Sequence, residues 1–507
     1  MNNFKGKVGD FLGSDRCSST VMTALVICVV MVFNAMLFAA TDLFGWGFYY
    51  KTDVDYSLSG NTDELFEKAI AEGKKVKISF CMAEDDVKIH TTGSEVYATV
   101  TNFAERYSDE FIEIDYINII TRRDKNGNLV NLSKYQRDME GNETRIYKTS
   151  VIFECGENYR VLTDTYTAVG YAHFYNLDSS MNIIAYNGEE VVASMMSWVM
   201  ADEHKKAYFT ERHGEQVDVA FTNLLSCAGY NVGVVDLRNE KVPDDADLLI
   251  ISNPKSDFES ARPGSEIYTE IDRLRAYADR GGNILVSLDP YVKELSVLES
   301  FLKEYGIAFS TTENAGASSR NIVKDMRDGI TLDGFTFVAS YADSPLADSI
   351  SERVGRYGGG RVLLKLVSAL ELSGDAKPLL VSSSSAVLES GGKTVSSSGN
   401  YVLAAYSETT TDSGNASHIF VVPSIYFAAS DALTSTNYSN KDFVYSLFED
   451  FYGADGMPYG CKPIFYDSQI LENLTIGTAK IYTAIAMLIP AAIAVVGTVV
   501  LIKRKNR

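Results

Sequence analysis

Cysteine, histidine and positive charge are all scarce in this chain, and each scarcity closes off a class of function. Six cysteines in 507 residues are too few for a disulfide scaffold, and no two stand at the Cys-x-x-Cys spacing of a zinc or redox site. The five histidines (90, 173, 204, 213 and 418) contain no His-Glu-x-x-His pair, so no zinc hydrolase is expected and no metal site is assigned. Lysine and arginine number 46 against 67 aspartates and glutamates, a net charge of −21. A surface of that sign repels phosphates, which argues against a nucleic-acid partner. A nucleotide loop is also missing: Ser390–Thr394 reads SGGKT, but Val387 stands where G-x-x-x-x-G-K-T requires its first glycine. No cofactor is expected, and no internal repeat is visible.

The composition that remains, 46% hydrophobic and 22% charged, is enough for about two to four domains with cores. Two stretches depart from it. Thr20–Ala40 reads TVMTALVICVVMVFNAMLFAA, without a charge. At about 1.5 Å per residue it reaches roughly 31 Å, the thickness of a bilayer's hydrocarbon core. Ile481–Ile502 is similar, and Pro490 and Gly497 within it are tolerated in lipid-buried helices. The first run is too long for a signal peptide, and Leu37 and Phe38 occupy places where cleavage needs small side chains, so a retained anchor is expected. Lys5, Lys7 and Arg16 precede the first stretch, and Lys503, Arg504, Lys505 and Arg507 follow the second. Basic residues concentrate on the cytoplasmic side, so both termini are expected in the cytoplasm and residues 41–480 outside, in a two-pass cell-membrane protein. The two tails together carry +5, which leaves −26 on the exported body.

Within that body, residues 41–185 predict a small α/β module: a helix bearing Leu65, Phe66, Ala69 and Ile70 behind an Asn61/Glu64 capping box, a strand at 75–81, a helix with Val96, Val100, Phe103 and Tyr107 inward, a strand at 110–118, and a hairpin about Gly156. Residues 186–310 alternate strands (207–210, 232–237, 247–252, 283–288) with helices (189–201, 215–228, one opening at Ser265, and one carrying Leu295 to Tyr305). Several strands are apolar throughout, which predicts a mainly parallel α/β sandwich covered on both faces. Residues 311–480 predict short strands separated by Ser/Thr/Gly-rich loops (311–320, 382–400 and 407–417) and a helix at 442–451 before the return to the membrane.

Ligands of open parallel sheets bind beyond the carboxyl ends of the strands. The residues expected there are Glu211, His213 and Glu215 after the first strand, Asn253, Lys255 and Asp257 after DLLIIS, and Asp289 after the next. A histidine among carboxylates with a lysine near could hold a small polar ligand, or the same residues could cap helices and close turns. Catalysis is not expected. A hydrolase on such a sheet needs Ser or Cys on a strained elbow, and here the turns carry Asn253 and Asp289, while Cys227 lies within a helix.

The segments YSLSGNTDELFEKAI (56–70), GEEVVASMMSWVMADEHKKAYFTERHGEQ (188–216), VPDDADLLIISNPKSDF (242–258) and RGGNILVSLDP (280–290), set between two anchors, resemble the GldG-like auxiliary subunits of ABC-type transport systems. The resemblance is strongest over 185–310 and at the two ends, and weak over 311–415. It implies a fold like a class I glutamine amidotransferase domain without a catalytic triad. It also implies a cytoplasmic ATPase subunit and a multi-spanning permease as partners, and assigns no ligand to the ERHGE and SNPKSDF segments. Two other functions stand beside this expectation: a stand-alone extracytoplasmic ligand-binding or sensor protein, and an amidotransferase-like hydrolase.

Overall fold

The computed structural model describes residues 55–465, except 60–61, 90, 109, 140, 142, 163–174, 178–182, 261–268, 315–316, 411–413, 415, 436 and 453–455. Both apolar stretches and both basic tails lie outside these residues. No helix among the described residues is long and apolar enough to cross a membrane. The fold is mixed α/β.

The first module contains α1 (Asp63–Ala71), β1 (Val76–Phe80), α2 (Glu84–Ile89), α3 (Thr91–Tyr107), β2 (Ile112–Tyr116), β3 (Val151–Cys155) and β4 (Asn158–Leu162). Its sheet runs β2-β1-β3-β4, with β1 and β2 parallel and β3 antiparallel to β1. Alternation along β3 divides its side chains: Val151 and Phe153 enter the core shared with α3, whereas Ile152 faces a smaller cluster with Cys81, Tyr135 and Tyr159. A short pair, β5 (Tyr175–Leu177) and β6 (Ile183–Tyr186), leads into α4 (Gly188–Met200), whose Val192, Met195, Met196 and Val199 are buried as their spacing predicts. Asn61 of the capping box expected for α1 lies outside the described residues; Thr62 precedes the helix without a side-chain cap.

The second region is built on β7 (Lys206–Thr210), α5 (Val219–Cys227), β8 (Asn231–Val235), β9 (Leu248–Ser252), α6 (Glu270–Asp279), β10 (Asn283–Ser287) and α7 (Ser296–Glu304). It continues through β11 (Ile307–Phe309), β12 (Thr311–Asn314), β13 (Ala317–Arg320), β14 (Ile322–Lys324), β15 (Thr336–Tyr341), α8 (Pro345–Gly358), β16 (Val362–Lys365), β17 (Leu370–Leu372) and β18 (Lys377–Val381). The last elements are β19 (Val387–Ser390), β20 (Lys393–Thr394), β21 (Val402–Thr410), β22 (Ala416–Val422), α9 (Ser430–Leu433), α10 (Asn440–Tyr452) and β23 (Ile464–Phe465).

Eleven of these strands form one sheet in the order β16-β15-β18-β21-β22-β10-β9-β7-β8, with β17 paired to β21 and β11 to β17; β12-β13, β14-β19-β20 and β23 belong to small separate sheets. The five strands from β22 to β8 are parallel, as expected, but the other half is antiparallel. The boundary read at residue 310 is therefore not a break in the sheet, because β22 pairs in parallel with β10 from Ile284↔Ile419 to Ser287↔Val422. Apolar runs alternate between two cores. Leu248 and Ile250 of β9 pack with α5, α8 and α10, whereas Leu249 and Ile251 pack with α6 and α7. The Ser/Thr-rich segments read as loops are largely hairpins: β12–β13, β19–β20, and the extended arms of β21–β22. Threonine's branched β-carbon suits the pleated backbone, and serine tolerates it at an exposed edge.

The sheet's continuity makes a specific prediction. A fragment covering 186–310 leaves the apolar edge of β10 without β22, and it will melt without a cooperative transition. A fragment extended to residue 465 will melt cooperatively. Circular dichroism melts of the two fragments check this, and a sharp transition in the shorter one would refute it.

Candidate functional site at the carboxyl edge of the sheet

Because β7, β9 and β10 are parallel, residues 211–216, 253–260 and 289–290 leave the sheet at one edge. Three residues there take left-handed backbone angles: Arg212 (φ 83°), Gly214 (φ 75°) and Asn253 (φ 50°). Gly214 is needed twice over, since a Cβ there would also stand 3.2 Å from the Lys255 Cβ. The turn at Asn253 has the left-handed strain of an elbow, but an amide occupies it, and asparagine is among the residues that tolerate this region best.

His213 is the centre of the edge. It is 1% exposed and lies flat against Phe258, with ring centroids 4.0 Å apart. Its Nδ1 is 3.1 Å from Glu215 Oε1, and its Nε2 is 3.0 Å from Glu270 Oε1. Burial disfavours an imidazolium, but hydrogen bonds and charge from the two glutamates outweigh it and hold the ring pKa at about 9. For Glu215 and Glu270 burial likewise opposes ionisation, and the hydrogen bond from His213 prevails, so both carboxyls are held below their ordinary value. Glu270 also sits in the first turn of α6, where the helix dipole favours an anion, and accepts the Glu259 N–H at 2.7 Å. With both ring nitrogens donating, His213 has no lone pair to take a proton from a substrate.

The other expected residues are equally committed. The His213 carbonyl accepts the N–H groups of Lys255 and Ser256 at 2.7 and 2.9 Å, stitching two strand-end loops together. Lys255 Nζ meets Asp289 Oδ2 at 2.7 Å. Asp257 accepts from Val297 N–H (2.8 Å), Leu298 N–H (3.1 Å) and the Ser296 hydroxyl (3.2 Å), so it caps α7 from a distant loop. Asn253 donates its N–H to the Ser287 carbonyl at 2.9 Å. Glu211 stays apart, half-exposed and 3.6 Å from Arg212 Nε. The structure thus brings His213 and Glu215 together, pairs Lys255 with Asp289, and gives Asp257 and Asn253 structural bonds.

Two partners of His213 escaped the sequence reading. Glu270 and Phe258 flank 261–268, and the helix carrying Glu270 was expected to open at Ser265. It opens at Thr269, whose hydroxyl and N–H exchange hydrogen bonds with Asp272 in a capping box. The Thr-x-x-Asp spacing at 269–272 was the signal that could have placed it.

No family model matches this chain, and no curated protein matches it. Solved structures similar to it include the mmIFT52 N-terminal domain (15% identity, TM-score 0.35, 48% of this chain and 97% of that one). A putative ThuA-like protein from Bacteroides uniformis is 11% identical, with a TM-score of 0.28, over 48% of this chain and 89% of that one. A glutamine amidotransferase from Thermotoga maritima is 8% identical, with a TM-score of 0.27, over 49% of this chain and 99% of that one. Likenesses of this size carry no argument about activity.

The His213 cluster sets a pH dependence. A folded-state pKa near 9 against 6.5 in the unfolded chain means its contribution is fully present below about pH 6.5 and is lost as pH rises through 9. The loss amounts to about 3 kcal/mol. Urea unfolding from pH 6 to 10 should show this decline in the wild type and a flatter profile in His213→Gln. Asp257→Ala should cost about 1 kcal/mol through the lost cap of α7, measured in the same way.

Proposed function

We propose that this chain is a membrane-anchored, extracytoplasmic auxiliary component of an ABC-type transport system, non-enzymatic and acting through a cytoplasmic ATPase subunit and a multi-spanning permease. The observation that carries this reading is the charge map: two uncharged apolar stretches with basic outer flanks enclose a body of −26. Two spans are too few to enclose a translocation path, and the sequence has no nucleotide loop of its own, so energy and pathway have to come from partners. The parallel half of the large sheet would then correspond to a class I glutamine amidotransferase-like domain without its nucleophile. The support for that finer assignment is the strained turn after β9, occupied by Asn253, and the buried pairing of His213 with two carboxylates.

Gentle purification from native membranes after cross-linking should bring down an ATPase and a permease subunit; the chain arriving alone after cross-linking would defeat the proposal. The orientation is tested separately. A membrane-impermeant thiol reagent should leave Cys17 unlabelled in intact cells, and labelling there would place the N-terminus outside.

A further inference from the structure

The first module carries a loop that neither its core nor the carboxyl edge uses. Between β2 and β3 the chain packs along the sheet, and its apolar residues divide into two sets. Ile119 and Val130 pack against the small cluster of Cys81, Tyr135, Ile152 and Tyr159. Ile120 and Leu129, their neighbours in sequence, stay out of it and are 89% and 75% exposed. The loop that presents them is tightly built. Asn118 Oδ1 accepts the N–H groups of Ile120 and Thr121, both at 3.0 Å, and Asp124 Oδ1 accepts those of Asn126 and Asn128 at 2.9 and 2.7 Å. Backbone bridges set Arg123 between Asn118 and Leu129, so the exposed side chains are held on a formed surface and little ordering is needed for contact.

Its charge is the reverse of the body's. Arg122, Arg123 and Lys125 stand exposed around Asp124, on a body of −26. Among the described residues none of the three cations is paired with a carboxylate: Arg123 donates to the Gly127 carbonyl, Lys125 Nζ donates to the Ile114 carbonyl at 2.5 Å, and Arg122 is left to solvent. A second exposed apolar loop, 326–335, lacks this trait, since Ile330 and Leu332 are flanked there by Asp328 and Asp333. Exposed aliphatic side chains framed by unpaired cations suit an anionic lipid surface, where the aliphatic tips enter the headgroup boundary and the cations meet phosphates. The rest of the body is repelled by such a surface, so this loop is the face that it selects.

We propose that loop 118–130 docks the body on an anionic phospholipid bilayer, with Ile120 and Leu129 entering the headgroup region and Arg122 and Arg123 meeting lipid phosphates. The proposal rests on the reading of Thr20–Ala40 as an anchor, because the anchor supplies the bilayer. Residues 41–55 span at most about 50 Å. Tyr56 and Leu58, which follow, pack on the core of the first module, so that module is tethered within reach of the surface. A free phosphate would satisfy the cations but leave both aliphatic side chains in water, and the fit is therefore to lipid.

The full chain in nanodiscs of phosphatidylglycerol or of phosphatidylcholine, with and without bromine on the acyl chains, tests this. Bromine quenches tryptophan on contact, and the wild-type signal from Trp46 and Trp198 is subtracted. Ile120→Trp, an exposed substitution, should lose at least about half of its added emission in brominated phosphatidylglycerol and little in phosphatidylcholine. Leu332→Trp on the acidic loop should be unquenched in both. Arg122→Asn, added to Ile120→Trp, suits the left-handed backbone there (φ 53°) and removes one cation; it should weaken docking on the order of fivefold. Equal quenching in the two lipids, equal quenching at 120 and 332, no effect of Arg122→Asn, or an embedded chain unquenched at 120 would overturn the proposal and leave the anchor standing. A chain that does not enter the nanodiscs would overturn both.

Discussion

One ladder holds the large sheet together: β10 against β22. It joins segments so distant in the chain that the Ser417 hydroxyl, which donates to the Gly282 carbonyl at its edge, is 135 residues away from its acceptor. Closing so long a loop is costly in entropy, yet the cost grows only slowly with length, and the ladder returns it by burying Ile419, Phe420, Val421 and Val422. Everything beyond the parallel half depends on this seam. β21 pairs with β22, β18 with β21, and β15 with β18, so the antiparallel strands join the parallel ones through β22.

The same logic explains the crowding at the carboxyl edge. Parallel strands end there, and their loops are joined by backbone hydrogen bonds and by charged side chains. His213 binds the loop after β7 to the start of α6, and its carbonyl holds the loop after β9. Lys255 ties that loop to the end of β10, and Asp257 fixes the start of α7. Buried ion pairs are rarely a large gain over apolar contacts, but losing one partner leaves a charge stranded, so such joints are exacting about geometry. They hold the edge in one arrangement.

How much of this was legible in the sequence follows from the range of the interactions. The helix at 188–200, the run DLLIIS and the hairpin about Gly156 depend on periodicity and local turn chemistry, and they form where they were read. His213, Glu215, Asn253 and Asp289 follow the ends of parallel strands, and a parallel sheet puts such residues at one edge. The misplaced boundary at 310 has a different origin: no local pattern in 416–422 announces a partner in 283–287. Glu270 was lost for the same reason, since its role is set by a histidine 57 positions earlier. The Ser/Thr-rich hairpins were missed because composition suggests loops where cross-strand pairing prevails.

The C-terminal end of the described chain is fastened in an unequal way. β23 has only two residues on its ladder, Ile464↔Tyr186 and Phe465↔Ala185, and Cys461 just before it accepts from Lys441. β6, its partner, passes through Asn187 directly into α4, which carries Glu190 in its first turn. The ladder that holds residues 464 and 465 thus has two rungs and belongs to the three-stranded β23-β6-β5 sheet, separate from the eleven-stranded one. The junction therefore couples residue 465 to β6 and, through Asn187, to the first turn of α4 that carries Glu190, and not to the large sheet.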